Sequence, residues 1–169
     1  LELGCVEALN MDGGGSTSVN GVYPGFDSSV LLNSPSDGAL RPVTNFFALI
    51  NTQQPDGQAA SLHLYPYGGI YLSGATEEFY VKAMDGGGFS TAVPEDVTYS
   101  VSGAGSVVLG GSRVQFGTEE AAVTVSSGAM SDTRRYRVVT TPDEIQVYGE
   151  APGDRISSLL LDAGAKAPL

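Results

Sequence analysis

The chain has 169 residues, 41% of them apolar, which is enough for one ordinary domain or two small ones with cores of their own. A formal charge of −11 repels phosphate backbones and anionic lipid heads, so nucleic acid is excluded as a partner class and the acidity serves solubility. The 23 glycines and nine prolines follow no fixed period; they mark turns between many short strands, not collagen or low-complexity sequence.

The N-terminus, Leu1-Glu2-Leu3-Gly4, reads as the last turn of a helix capped by Gly4, and so as a cut through a larger protein. Cys5, between Gly4 and Val6, has no cysteine partner and reads as a buried, inert thiol. No apolar run approaches the roughly 20 residues of a membrane helix, so no transmembrane segment is expected in this piece. Residues 8–10, 29–33 and 45–51 are apolar or aromatic runs bounded by Pro, Gly, Asp and Asn, and predict three strands. The loops between them, 13–24 and 34–42, are longer than hairpins need, and long ordered loops tend to carry function.

Residues 52–58 are polar, contain Pro and Gly, and predict a linker after a first unit of residues 1–51. Beyond it, strand-like stretches recur at 61–65, 78–84, 97–101, 106–109, 113–116, 121–126, 135–140 and 144–148. Turns at Asp85-Gly86-Gly87-Gly88, Gly110-Gly111 and Ser127-Gly128 separate them. This predicts a small antiparallel sandwich over residues 59–149, with Phe79, Val81, Ala83, Val123 and Val125 on inward faces. Residues 150–169, with a short apolar stretch at 156–161, predict a linker or the start of a further module.

Three motifs carry the chemistry of the first unit. Asn10-Met11-Asp12-Gly13-Gly14-Gly15-Ser16-Thr17 joins an apolar approach to three glycines and two hydroxyl residues. Such a turn presents backbone N–H groups to an anion, and without Cβ atoms a phosphate comes close to the chain. Taken alone it is an ordinary turn, and it lacks the closing Gly-Lys-Ser/Thr of a P-loop and the spacing of a dinucleotide fingerprint. Leu32-Asn33-Ser34-Pro35-Ser36-Asp37-Gly38 and Arg41-Pro42-Val43-Thr44-Asn45 follow in order.

That series resembles the phosphodiester glycosidase family, in which Asn-Leu-Asp-Gly-Gly-Gly-Ser-Ser is followed by Asn-Arg-Pro-Ser-Asp and Arg-Pro-Val-Ser-Asn. Met11, Thr17, Ser34 and Thr44 depart from the pattern, and Ser34 stands where the family has an arginine able to touch phosphate. The resemblance covers roughly residues 1–51, the C-terminal part of the family's domain. It implies an α+β glycosidase fold and hydrolysis of a sugar-1-phosphodiester to sugar and phosphomonoester. It also implies a sugar phosphodiester or cell-surface glycan as partner, no cofactor, and a secreted or surface location in a bacterium. The piece by itself is expected to be inactive.

Asp12 suits a general acid or base, or a stabiliser of positive charge on the sugar ring, and equally a cap on the glycine turn. Arg41 can grip a phosphate with two parallel hydrogen bonds, or pair with Asp37. Asp37, turned with Ser36 after Pro35, is a second carboxylate for an acid/base pair. Gly13, Gly14, Gly15, Ser16 and Thr17 form the candidate anion cradle. Asn10, Asn33 and Asn45 either meet sugar hydroxyls or tie the loops down from inside. His63, the lone histidine, falls on a strand between Leu62 and Leu64 and predicts no metal site.

In the second unit, residues 97–105 and 142–145 resemble bacterial immunoglobulin-like repeats, which implies a spacer or carbohydrate-proximal module. The fold class expected is thus mostly β: part of an α+β glycosidase domain followed by an antiparallel immunoglobulin-like sandwich. A non-catalytic surface adhesion or carbohydrate-binding protein is the alternative function.

Overall fold

The structure, a computed structural model, describes residues 14–42 and 46–141, together with the backbone of 147–148 and 155–156. All regular structure among the described residues is β, and no helix occurs there. The expected helical turn at 1–4, the strand at 8–10, Cys5 and most of the tail lie outside the described residues.

The first unit contributes one hairpin, β1 (Asn20–Val22) and β2 (Ser29–Leu31), paired Asn20↔Leu31 to Val22↔Ser29. β2 falls inside the predicted run 29–33, whereas β1 lies inside what the sequence presents as a loop. The hairpin's tip is set by Tyr23-Pro24-Gly25-Phe26: Phe26 N–H donates to the Tyr23 carbonyl at 2.9 Å, and Gly25 takes φ +75°. Pro second and Gly third is the chemistry of a type II turn. Glycine is required for a second reason, since a Cβ there would stand 2.4 Å from the Lys82 Cβ.

The strand expected at 45–51 does not form over its described part. Residues 46–50 make no ladder, and Phe46, Phe47, Leu49 and Ile50 are all at least 80% exposed. A strand without neighbours has no ladder to hold it, whatever its propensity; Asn45 lies outside the described residues.

From residue 59 the chain builds a sandwich. Its strands are β3 (Ala59–Tyr65), β4 (Ile70–Leu72), β5 (Thr76–Glu78), β6 (Tyr80–Asp85), β7 (Ser90–Thr91), β8 (Thr98–Ser102), β9 (Val107–Gly110), β10 (Arg113–Gln115), β11 (Ala121–Ser127) and β12 (Met130–Val139). Two further short strands, β13 (Val147–Tyr148) and β14 (Arg155–Ile156), pair with each other in the tail. β5 and β6 are separated only by Phe79, whose N–H donates to the Ser112 carbonyl, so they behave as one bent strand. On one side β3 pairs β6 and β5 pairs β10, which pairs β9; on the other the order is β4-β12-β11-β8. Naming β3, β5/β6, β10 and β9 as A, B, E and D, and β8, β11 and β12 as C, F and G, gives the strand arrangement of an immunoglobulin-type sandwich. The expected antiparallel pairing needs one correction: β4 joins β12 in parallel, with Ile70 opposite Arg137.

The two layers meet on Leu62, Leu64, Phe79, Ala83, Val114, Phe116, Ala121, Val123, Val125 and Tyr136, all buried. β11 shows why these residues form this strand, because its burial alternates without a break from Ala121 to Ser127, one face to the core and one to water. Its partner β12 is longer than the sequence suggests. Ser131 to Arg134 is polar, but Asp132 Oδ2 accepts the Leu64 N–H at 2.8 Å, tying β12 to β3, and the Arg134 Nε–H at 3.0 Å within its own strand.

Candidate functional site

The two flagged loops of the first unit come together. At the glycine run, Thr17 N–H donates to the Gly14 carbonyl at 3.0 Å, closing a turn, while the Gly14 N–H donates to Thr17 Oγ1 at 2.9 Å. The Asp37 N–H then donates to the Gly15 carbonyl at 2.9 Å, seating the Ser36–Asp37 turn on the glycine turn. A Cβ on Gly15 would lie 1.9 Å from Asp37 Oδ1 and 3.2 Å from Ser36 Oγ, so glycine is what lets the carboxylate rest there. Nothing lies within 4 Å of a Cβ on Gly14.

Arg41 Nη2 meets Asp37 Oδ2 at 2.9 Å, with the two side chains 62% and 37% exposed. The pairing weighed from sequence is therefore present. A half-exposed pair of this kind contributes ~0–1 kcal/mol to stability, so its geometry matters more than its energy. The contact engages one nitrogen of a guanidinium that carries five N–H donors, leaving others directed to water and open to an anion.

Asn33 adopts the tying role: its Oδ1 accepts the Val19 N–H and its Nδ2 donates to the Thr17 carbonyl, both at 2.7 Å. Both ends of the amide are engaged, which locks the glycine turn to β2. Thr17 Oγ1 is used as an acceptor and keeps its own hydroxyl proton to donate; Thr17 is exposed and Ser16 half-buried. Beside these residues lies a shallow concavity of about 280 Å³ whose lining includes Asn33, Ser34, Pro35 and Gly38. Asn10, Asp12, Gly13 and Asn45 lie outside the described residues.

Asp85, in the second glycine turn, has a structural task. Its buried carboxylate accepts four backbone N–H groups, from Phe89 and Gly87 on Oδ1 and from Asp56 and Gly57 on Oδ2, at 2.9 to 3.2 Å. The Phe89 bond above all, then those from Gly57, Asp56 and Gly87, hold its pKa below the ordinary carboxylate value against the opposing effect of burial. The expected linker is thus pinned to the sandwich at Asp56 and Gly57, and just before it Asn51 donates its Nδ2–H to the Gly87 carbonyl. Among the described residues no three His, Cys, Asp or Glu side chains converge as a metal would require. His63 Nε2 lies 3.1 Å from Ser61 Oγ on the same strand, and burial lowers its pKa.

A second concavity went unnoticed in the sequence. Tyr23 and Phe26 from the hairpin tip, Tyr65, Pro66 and Tyr67 from the end of β3, and Tyr80 from β6 enclose about 250 Å³. The residues are too far apart in sequence to form a motif; the cross-strand pairing of Tyr65 with Tyr80 brings them together.

The structure so far defines a chain of one class: a loop-rich segment that presents glycines, a carboxylate and an arginine at its surface, buttressed against a β-sandwich. Residues 1–50 match the family model described as phosphodiester glycosidase, on the segment whose three motifs resemble that family. No curated protein matches the chain.

Proposed function

We propose that the first unit supplies the phosphate-holding edge of a phosphodiester glycosidase site, and that the sandwich is an appended immunoglobulin-like module of a secreted or surface protein. The observation that carries this reading is the seat of Asp37 on Gly15 with Arg41 on its other oxygen. Residues from all three motifs thereby share one surface. The family match at residues 1–50 supports the reaction class.

In this reading Arg41 turns from Asp37 to take the two non-bridging oxygens of a sugar-1-phosphodiester, and the Ser16 and Thr17 hydroxyls donate to the remaining lone pairs of the same oxygens. Asp12 and Asp37 divide two tasks: protonating or deprotonating at the scissile bond, and stabilising the positive charge that grows on the ring as the sugar leaves. Water completes the reaction, giving free sugar and a phosphomonoester. The sandwich holds the hairpin tip and contributes no reacting group.

The full-length gene product assayed on a sugar-1-phosphodiester tests this. Turnover should fall at least ~100-fold in Asp12→Asn and in Arg41→Ala, the range associated with loss of an acid/base group or of a charged transition-state contact. Undiminished turnover in both variants overturns the assignment.

A further inference from the structure

The tyrosine cleft between the hairpin tip and the sandwich has features of a ligand site. Four of the chain's eight tyrosines line it, namely Tyr23, Tyr65, Tyr67 and Tyr80. Tyr65 is fixed: its hydroxyl donates to the Pro24 carbonyl at 2.8 Å, Phe26 meets it edge-on at 5.2 Å, and Tyr80 stacks on it at 5.4 Å with the ring planes 11° apart. Tyr67 leans over it at 4.4 Å, and Tyr23 approaches Tyr67 at 6.1 Å. Tyr65 is buried, but Tyr23 and Tyr80 are 41% and 49% exposed, so the outer rings offer apolar area with a polar tip to solvent.

Cations stand on the rings of this cluster although the chain is acidic. Of eight lysines and arginines in a molecule of formal charge −11, two stand on rings of this cluster. Lys82 Nζ lies 4.8 Å from the centroid of Phe26, and the Arg134 guanidinium lies 4.2 Å from that of Tyr67. Lys82 makes no ion pair among the described residues, whereas Arg134 is paired through Nε with Asp132. The cleft is smaller than the ~300–1,000 Å³ of common small-molecule pockets. It is sized for one ring. An extended proline-rich peptide, which also favours tyrosines, needs a groove several residues long.

We propose that this cleft is a saccharide subsite that stacks one pyranose ring of an acidic glycan on Tyr80 and Tyr23, with the glycan's carboxylate or phosphate drawn to Lys82. The axial C–H groups of a pyranose present an apolar face to an aromatic ring while the hydroxyls point outward to the tyrosine OH groups and to water. Rigid rings lose little conformational entropy when they bind, which favours tyrosine for this use. The site shares no residue with the Gly15–Asp37–Arg41 cluster and does not depend on hydrolysis, so failure of the glycosidase assay leaves it standing.

The chain has no tryptophan, so its intrinsic fluorescence comes from tyrosine, and half of the tyrosines line the cleft. Titrating the 169-residue chain with trigalacturonate and sialyllactose as acidic probes, and with galactotriose and lactose as neutral ones, should give a saturable signal with at least one acidic probe. Affinity for it should exceed that for the neutral probes by about fivefold or more and fall as salt is raised. Tyr80→Ala should weaken binding at least tenfold while the chain still unfolds in one cooperative transition, its melting temperature lowered by no more than ~8 °C by loss of the stack on Tyr65, and Lys82→Gln should erase the preference for acidic probes. No saturable signal with any saccharide, equal binding by Tyr80→Ala, or saturable binding of a proline-rich decapeptide instead would overturn the saccharide assignment. Equal affinity for acidic and neutral probes would overturn its acidic half.

Discussion

Replacing Gly15 by alanine isolates the contact on which the proposed catalytic surface depends. The new Cβ would stand 1.9 Å from Asp37 Oδ1, while ordinary contact begins at 3.4 Å, so the carboxylate must retreat by about 1.5 Å, the difference between the two. The side chain is partly exposed, and among the described residues the one ion pair it gives up is the exposed one with Arg41, which contributes ~0–1 kcal/mol. Gly15 does not have a positive φ, so alanine fits its backbone and returns ~0.4–1 kcal/mol by restricting the unfolded chain. The two effects nearly cancel, and the melting temperature should stay within ~4 °C of the parent.

Turnover should respond differently. A displacement of about 1 Å in a reacting group costs on the order of 100-fold in rate, and the shift forced on Asp37 exceeds that. Gly68→Ala, outside the glycine loop, is the control, because its Cβ meets nothing within 4 Å. Kinetics on a sugar-1-phosphodiester with the full-length gene product should therefore show kcat/KM reduced roughly 100-fold in Gly15→Ala and unchanged in Gly68→Ala. Equal activity of the two variants would refute a catalytic use for Asp37 at this position.

Other consequences follow from the sandwich. Asp85→Asn removes acceptors from two of four backbone N–H groups and should lower the melting temperature by about 10 °C, read by calorimetry. Because the Asp85 pKa is depressed on folding, its contribution is complete above the unfolded carboxylate value and is lost as pH falls through the lower folded value. The gap between parent and Asp85→Asn should thus be constant at neutral pH and close below about pH 4. Tyr71 is pushed up to about 12 by burial and by Glu77, so in a spectrophotometric titration it should ionise well after an exposed tyrosine. Its folded state keeps the proton that the unfolded state releases, so this contribution is present below about pH 10 and fades above it. Phe116→Ala, at a fully buried position, should destabilise the sandwich by ~3–5 kcal/mol in denaturant unfolding.

The sandwich was legible in the sequence because its central strands carry their own instructions. Val123 and Val125 alternate with threonine and serine, and glycine turns punctuate the runs, so period and boundary agree. The parts that escaped have no such local code. Ile70–Leu72 and Thr76–Glu78 are three-residue strands held by partners more than 30 residues away, and Ser131–Arg134 is polar, fastened to β3 through Asp132. The run at 46–50 failed in the opposite sense, since aromatic and β-branched residues state a preference for strand but cannot supply the neighbour that a strand needs.

The candidate site divides along the same line. The residue types in the three motifs named a chemistry, but only coordinates could decide between the paired readings: Asn33 is spent on Val19 and Thr17, and Arg41 rests on Asp37. The tyrosine cleft was invisible for a physical reason. Tyr23 and Phe26 reach Tyr65 because a type II turn aims them there, and Gly25 lets that turn press against Lys82 without a clash. The contact joins two units that the sequence separates by a linker, and that linker is itself held by Asp85. The loop segment is therefore braced at both its hairpin tip and its exit, which is the condition under which loops can present a site with fixed geometry. A sandwich that braces in this way does more than set distance, because any force or ligand acting on Tyr65 or Tyr80 acts also on the turn that begins the path to Asn33 and the glycine loop.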